Sequence, residues 1–110
     1  MSADQRVFAA VAEPSRRKVL EMLAARGEMS ASEICEEFEV TPQDISRHLR
    51  VLRESELVLV EKRAQQRIYR INQDTVMKLE GWAHQMAQRL DALNQVVERE
   101  KKRNRDDVKN

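Results

Sequence analysis

Two helix-start signals follow one another within residues 29–45, and they limit what the chain can become. In "MSASEI", Ser30 can cap a helix while Glu33 reaches back to the Ser30 backbone N–H, and Met29 and Ile34 stand where a hydrophobic staple would close. In "VTPQDI" the grammar repeats: Thr41 caps, Pro42 takes the first helical position, Asp44 stands third, and Val40 and Ile45 form the staple. The spacing predicts a first helix burying Ala31, Ile34, Cys35 and Phe38, a turn at Glu39–Val40, and a second helix running to about residue 55. That is the helix-turn-helix layout.

The second of these helices has two faces. On a helical wheel Leu49 and Leu52 fall within ~40° of Ile45, and the three make its apolar side. Gln43, Ser46, Arg47, Arg50 and Arg53 take the far side. Arginine can grip both acceptors of a guanine edge and glutamine those of adenine, while serine can read a base or hold a phosphate. The free N–H groups at the helix start also suit a phosphate. Duplex DNA, with this helix in the major groove, is what such a face is built to touch.

The flanks support that reading. Val7, Phe8 and Val11 form one face of a short helix, Pro14 opens another carrying Val19, Leu20, Met22 and Leu23, and Gly27 ends it as a left-handed cap. "LVLVEKR" and "RIYRI" read as a β-hairpin carrying Lys62, Arg63, Gln65, Gln66, Arg67 and Arg70. Its tip, "AQQ", lacks the Gly or Asn of a tight turn and predicts a looser, more mobile connection. From about Asp74, apolar residues fall at Val76, Leu79, Ala83, Met86, Leu90, Leu93 and Val97, in steps of 3 and 4. So narrow a seam asks for a partner helix rather than a globular core. The tail "EREKKRNRDDVKN" has no period and is expected to fray.

Bulk properties bound the rest. A chain of 110 residues suits one small domain, and 35 % charged with 4 % aromatic residues implies a modest core of the kind often completed by oligomerisation. The net charge of +1 gives no global sign of nucleic-acid binding, so that argument is local. One cysteine excludes an internal disulfide framework, and the longest apolar runs are too short to cross a bilayer. With no signal-peptide pattern at the N-terminus, a reducing cytoplasm is the expected location. Residues 28–44 carry Glu28, Glu33, Glu36, Glu37, Glu39 and Asp44 with no Lys or Arg, which fits ordinary helix solubility, or else a first helix that points away from phosphate or weakens non-specific affinity. No glycine-rich phosphate loop, nucleophile elbow or Cys/His cluster supports an enzyme.

"EPSRRKVLEMLA", "SASEICEEF", "ISRHLRVLRES" and "RIYRI" together resemble the ArsR-type (ArsR/SmtB) family of winged-helix repressors over roughly residues 5–72. The resemblance implies a homodimer built from the first and last helices, with the second helix of the motif as reader. Many such proteins sense metals, and here the departures matter. One family site uses closely spaced cysteines, whereas this chain has Ser30, Ser32 and Cys35, leaving one thiolate where a thiophilic ion needs two or three. The other uses paired Asp and His on the last helix, where this chain offers only Glu80 and His84. Cys35, on the apolar stripe, is expected to be a small buried hydrophobe. Glu56 stands where the family often has Gly after the reading helix, which weakens the expected cap and strains entry into the wing.

The expected protein is therefore mainly α with a small β-hairpin: a winged helix-turn-helix with a long C-terminal dimerisation helix. It is a single domain over 1–110, comprising an N-terminal dimer helix at 3–12, the winged motif at 14–72, a dimer helix at 74–100 and a flexible tail at 101–110. The expected function is sequence-specific DNA binding by a homodimeric repressor, an autorepressor in one form, on a pseudo-palindromic operator, with no metal, cofactor or membrane involved. Base and near-base contact is expected from Gln43, Ser46, Arg47 and Arg50. Backbone contact is expected from Thr41, His48, Lys62, Arg63, Gln66 and Arg67. Phe8, Leu79, Trp82, Ala83, Met86, Leu90, Leu93 and Val97 are expected at the dimer interface. Two alternatives remain open: a winged-helix protein–protein adaptor, and a repressor answering to a metal or small molecule.

Overall fold

The computed structural model describes residues 3–109, with side chains over 5–103. Residues 1, 2 and 110 of the expected domain lie outside it, as do the tail side chains from 104 onward. Five helices and three strands follow in the order α1 (Ala3–Ala12), α2 (Pro14–Arg26), β1 (Glu28–Ser30), α3 (Ala31–Glu36), α4 (Pro42–Glu54), β2 (Val58–Arg63), β3 (Gln66–Ile71) and α5 (Gln73–Lys109). The chain divides into two compact units, Met1–Val76 and Met77–Asn110, with the division inside α5.

The first unit forms around the apolar stripes read from the sequence. Val7 and Ala10 of α1, Val19 and Leu23 of α2, Ile34 of α3, and Ile45, Leu49 and Leu52 of α4 are all buried, with Met29, Leu57, Val58, Ile68 and Tyr69 from the sheet side. Each large apolar side chain so buried stabilises the fold by roughly 1.5–3 kcal/mol before conformational entropy is subtracted. Arg16 ties the helices together. Its Nε donates to the Ala10 carbonyl at 2.7 Å and its Nη2 to that of Ala9 at 3.1 Å, closing the C-terminal end of α1 with a cation.

The sheet has three antiparallel strands in the order β1-β3-β2. The hairpin β2–β3 was expected, but β1 was not. Its three residues are too short to show alternation, and Ser30 is both its last residue and the N-cap of α3. Pairing of β1 with β3 places Met29 opposite Tyr69 and buries both.

The hairpin tip corrects the expectation of a loose connection. Arg63 pairs with Gln66, so only Ala64 and Gln65 make the turn, and Ala64 accepts a positive φ of 58°. Because β3 is held on both sides, its register is set by the sheet, and the short turn closes even without glycine.

The helix caps follow the sequence closely. Ser30 Oγ accepts from the Glu33 N–H at 3.1 Å and Glu33 Oε1 accepts from the Ser30 N–H at 3.0 Å, a complete capping box. These bonds hold the Glu33 carboxyl below its ordinary range. Gly27 caps α2 at φ 89°, its N–H donating to the Leu23 carbonyl.

Two details of α3 depart from expectation. The helix stops at Glu36, so Phe38 no longer lies on its wheel; Phe38 and Cys35 are half-buried rather than core, and Val40 is exposed instead of closing a staple. Phe38 is covered by Lys18, whose Nζ sits 4.6 Å from the ring centroid and donates to the Glu37 carbonyl.

Glu56 ends α4 at φ 63°. The Leu57 N–H donates to the Leu52 carbonyl and the Glu56 N–H to that of Arg53, both at 3.0 Å. That is a Schellman motif with glutamate where glycine is usual, so the strain expected at this position is present. The second unit is α5 from Met77 onward. It runs to Lys109, so the stretch 101–109 that was expected as a frayed tail is helical.

Candidate nucleic-acid interface

The start of α4 is built as the sequence indicates. Thr41 Oγ1 accepts from the Asp44 N–H at 3.2 Å, and Pro42 occupies the first turn. With Ile45, Leu49 and Leu52 holding the inner side, Gln43, Ser46, Arg47 and Arg50 are exposed, and together with Pro42 they line one shallow depression on the outer side. Asp44 accepts from Arg47 Nη2 at 3.3 Å, which orients that guanidinium near the helix start.

The hairpin sorts its polar residues by face. Lys62 and Arg67 are directly paired across the strands, as are Arg63 and Gln66. Since side chains alternate along a strand, the two pairs lie on opposite faces. Arg67 shares a groove with Ser46, Leu49, Arg50 and Arg53 of α4 and with Tyr69. Arg63 belongs to the other face and is already occupied. Its Nη1 donates to Glu28 Oε1 at 2.7 Å, and its Nη2 donates to Glu28 Oε2 at 3.3 Å and Glu61 Oε2 at 2.9 Å. The Glu28 and Glu61 hydrogen bonds raise the Arg63 pKa, and the Arg63 hydrogen bond lowers that of Glu28.

His48 faces inward rather than onto the exposed side of α4. Its Nδ1 lies 3.3 Å from Arg16 Nη1 and 3.8 Å from Glu13 Oε2, and its side chain is only 20 % exposed. Desolvation pushes the Glu13 carboxyl up, but the Arg16 backbone N–H, the His48 ring and lesser neighbours outweigh it and hold Glu13 low.

The structure thus gathers Ser46, Arg50 and Arg67 around one groove and sets Lys62 beside Arg67. It leaves Thr41 as a cap, His48 in a helix junction, and Arg63 with Gln66 on the far side of the wing. Arg53 lines the same groove and was not among the expected contacts. Its place three residues after Arg50, on the polar side of the wheel, was the available signal.

The seam positions of α5 are open to varying degrees. Leu90 and Leu93 are more than half exposed, Trp82 is 50 % and Val97 38 % exposed, Ala83 is exposed, and Leu79 and Met86 are half-buried. Phe8 of α1 is half-buried.

Ser30 is committed to its cap, Cys35 is the single thiol, and Glu80 and His84 are exposed on α5. Among the described residues no three His, Cys, Asp or Glu side chains come together as ligands, and no helix is long and apolar enough to cross a membrane.

A capped reading helix, a short helix before it and a hairpin beside it define a winged helix-turn-helix DNA-binding protein. Known proteins agree. A family model described as a helix-turn-helix domain matches residues 11–61. The transcriptional repressor SdpR of Bacillus subtilis (strain 168) is 33 % identical over 76 residues, covering 69 % of this chain and 83 % of that protein. A crystal structure of an ArsR family transcriptional regulator superposes with a TM-score of 0.71 at 26 % identity, over 78 % of this chain and 88 % of the other. An ArsR-like transcriptional regulator from Rhodococcus sp. RHA1 gives 0.62 at 30 % identity, over 84 % and 90 %. The chain belongs to the ArsR-type family of helix-turn-helix transcriptional repressors, a family of regulators and not of enzymes.

Proposed function

We propose that the protein is a homodimeric, metal-independent repressor that binds a pseudo-palindromic operator. The observation that carries this reading is the exposed face of α4, where Gln43, Ser46, Arg47 and Arg50 stand clear of the core on a helix whose other side is fixed by Ile45, Leu49 and Leu52. Gln43, Ser46 and Arg47 would read base edges in the major groove, and two copies would place two such helices in successive grooves. The heptad seam of α5, with Leu90 and Leu93 more than half exposed, supports pairing with a second copy. The reduced donor set at Ser30, Ser32 and Cys35 supports regulation without a thiophilic metal. Repression is carried over from relatives such as SdpR, named as a transcriptional repressor.

Fluorescence anisotropy on duplex from upstream of the protein's own gene, with unrelated duplex as control, tests this reading across a salt series with chelator or zinc. Selective, salt-sensitive binding that ignores both additives is expected. Release by zinc would return Cys35, Glu80 and His84 to consideration as ligands. Leu90→Asp is expected to sediment as a monomer and to lose selective binding; a dimeric Leu90→Asp protein would remove the seam from the interface.

A further inference from the structure

Six exposed arginines of the winged motif fall into two groups. Arg26, Arg47 and Arg63 each hold a carboxylate, on Glu37, Asp44, and Glu28 with Glu61 respectively. Arg50, Arg53 and Arg67 hold none among the described residues, yet they converge on one groove of about 300 Å³ between α4 and β3. No acidic residue lines that groove. Its apolar lining is Ala31 with the buried Leu49 and Tyr69, 3 % and 5 % exposed, and Ser46 adds a hydroxyl. Lys62 stands directly across from Arg67 on the same face of the hairpin, a like-charge pair that is unfavourable by itself. Three guanidinium groups around a partly apolar floor repel one another until an anion arrives, and the guanidinium fork matches a phosphate.

The geometry points to a phosphate clamp: Arg50, Arg53 and Arg67 close on one phosphodiester of the DNA backbone between the reading helix and the wing. This rests on the DNA-binding reading and divides the labour within it. Arg50 borders both the outer depression of α4 and the groove, and the clamp assigns it to phosphate rather than to a base. Base reading is left to Gln43, Ser46 and Arg47 at the start of α4. Arg53 becomes a DNA contact that adds affinity without sequence preference. On their other side Arg53 and Arg67 border a second groove that contains Glu56 and Lys62; the Glu56 carboxylate makes that side the poorer one for an anion.

The test uses the full chain and a randomised duplex pool. Selection and sequencing define the preferred site for the wild type, and titrations on that duplex and a scrambled one are repeated over a KCl series. Arg53→Gln and Arg67→Gln, on different elements, are each expected to lower the slope of log K against log salt by about 1. Each should weaken both duplexes by the same factor and leave the selected sequence unchanged, while Arg53→Lys should keep the wild-type slope. Circular dichroism melting shows that each variant is folded. A wild-type slope in both glutamine variants, or a changed selected sequence, overturns the clamp while the DNA-binding reading stands. A wild-type protein that binds no duplex overturns both.

Discussion

The two faces of the β2–β3 hairpin carry similar residues and do different things. One bears Arg63, held by Glu28 of β1 and Glu61 of its own strand. The other bears Lys62 and Arg67, which oppose each other and border the grooves beside α4. The first arginine is a structural tie that fastens the wing to β1. The second, Arg67, is a charge with no carboxylate partner among the described residues. A count of basic residues in the wing cannot separate them; the strand register can, because it decides which side chains meet a carboxylate.

Charge reversal should break the comparison most sharply. Arg67→Glu is expected to weaken duplex binding on the order of 100-fold near physiological salt, since it removes one phosphate contact and adds repulsion. Its melting temperature should stay close to that of the wild type. Arg63→Gln should do the opposite: a lower melting temperature, with the difference shrinking in high salt, and nearly unchanged affinity. Paired titration and thermal melts check both. Equal losses of affinity in the two variants would mean that both faces of the wing touch DNA.

Much of this was legible in the chain. Ser30 with Glu33 and Thr41 with Pro42 announced both helices of the motif, and Ile45, Leu49 and Leu52 announced which side of α4 is core. What the sequence concealed depended on tertiary context. β1 is a strand only because β3 lies beside it. The tip closes in two residues because the sheet holds the register, at the cost of a positive φ at Ala64. Phe38 was placed on a wheel that ends at Glu36. The partners of Arg63 and His48 come from residues distant in sequence, Glu28 and Arg16, and no local pattern names them.

Truncation at the start of α4 sharpens the distinction between reading and holding. Arg47→Ala should cost about 1–2 kcal/mol on a preferred duplex and relax selection at one position, with little change on random DNA. Competition between preferred and scrambled duplex measures it. A uniform loss on both would place Arg47 with the phosphate contacts instead.

A smaller effect concerns the joint on which both faces turn. Glu56 sits at φ 63° in the Schellman turn that leads into β2. Glu56→Gly should remove a strain of about 1 kcal/mol and raise the denaturant midpoint. Affinity for duplex should be nearly unchanged, because the motif's hydrogen bonds are backbone bonds and the hairpin keeps its angle. A stabilised variant that binds poorly would show that the glutamate itself sets the wing's position.

The smallest effect is the pH dependence of the structural face. The Arg63 hydrogen bond and charge hold the Glu28 carboxyl below its ordinary value. A carboxylate lowered in the folded state adds stability above its unfolded pKa, and that stability is lost as pH falls through the folded value. Glu28→Gln should therefore melt slightly lower than the wild type at neutral pH, and the gap should close as acidification takes the pH through the lowered folded value of Glu28. In an Arg63→Gln background, Glu28→Gln should lose most of its effect on the melting temperature, since the pair and not the single residue carries it. Melts of the four proteins across the acid range read this cycle directly. A gap that persists in the Arg63→Gln background would assign Glu28 another partner, Arg70 being the next charge that lowers it. Arg63 would then be held only by Glu61 of its own strand, and the wing would meet β1 through the pairing of β1 with β3 alone.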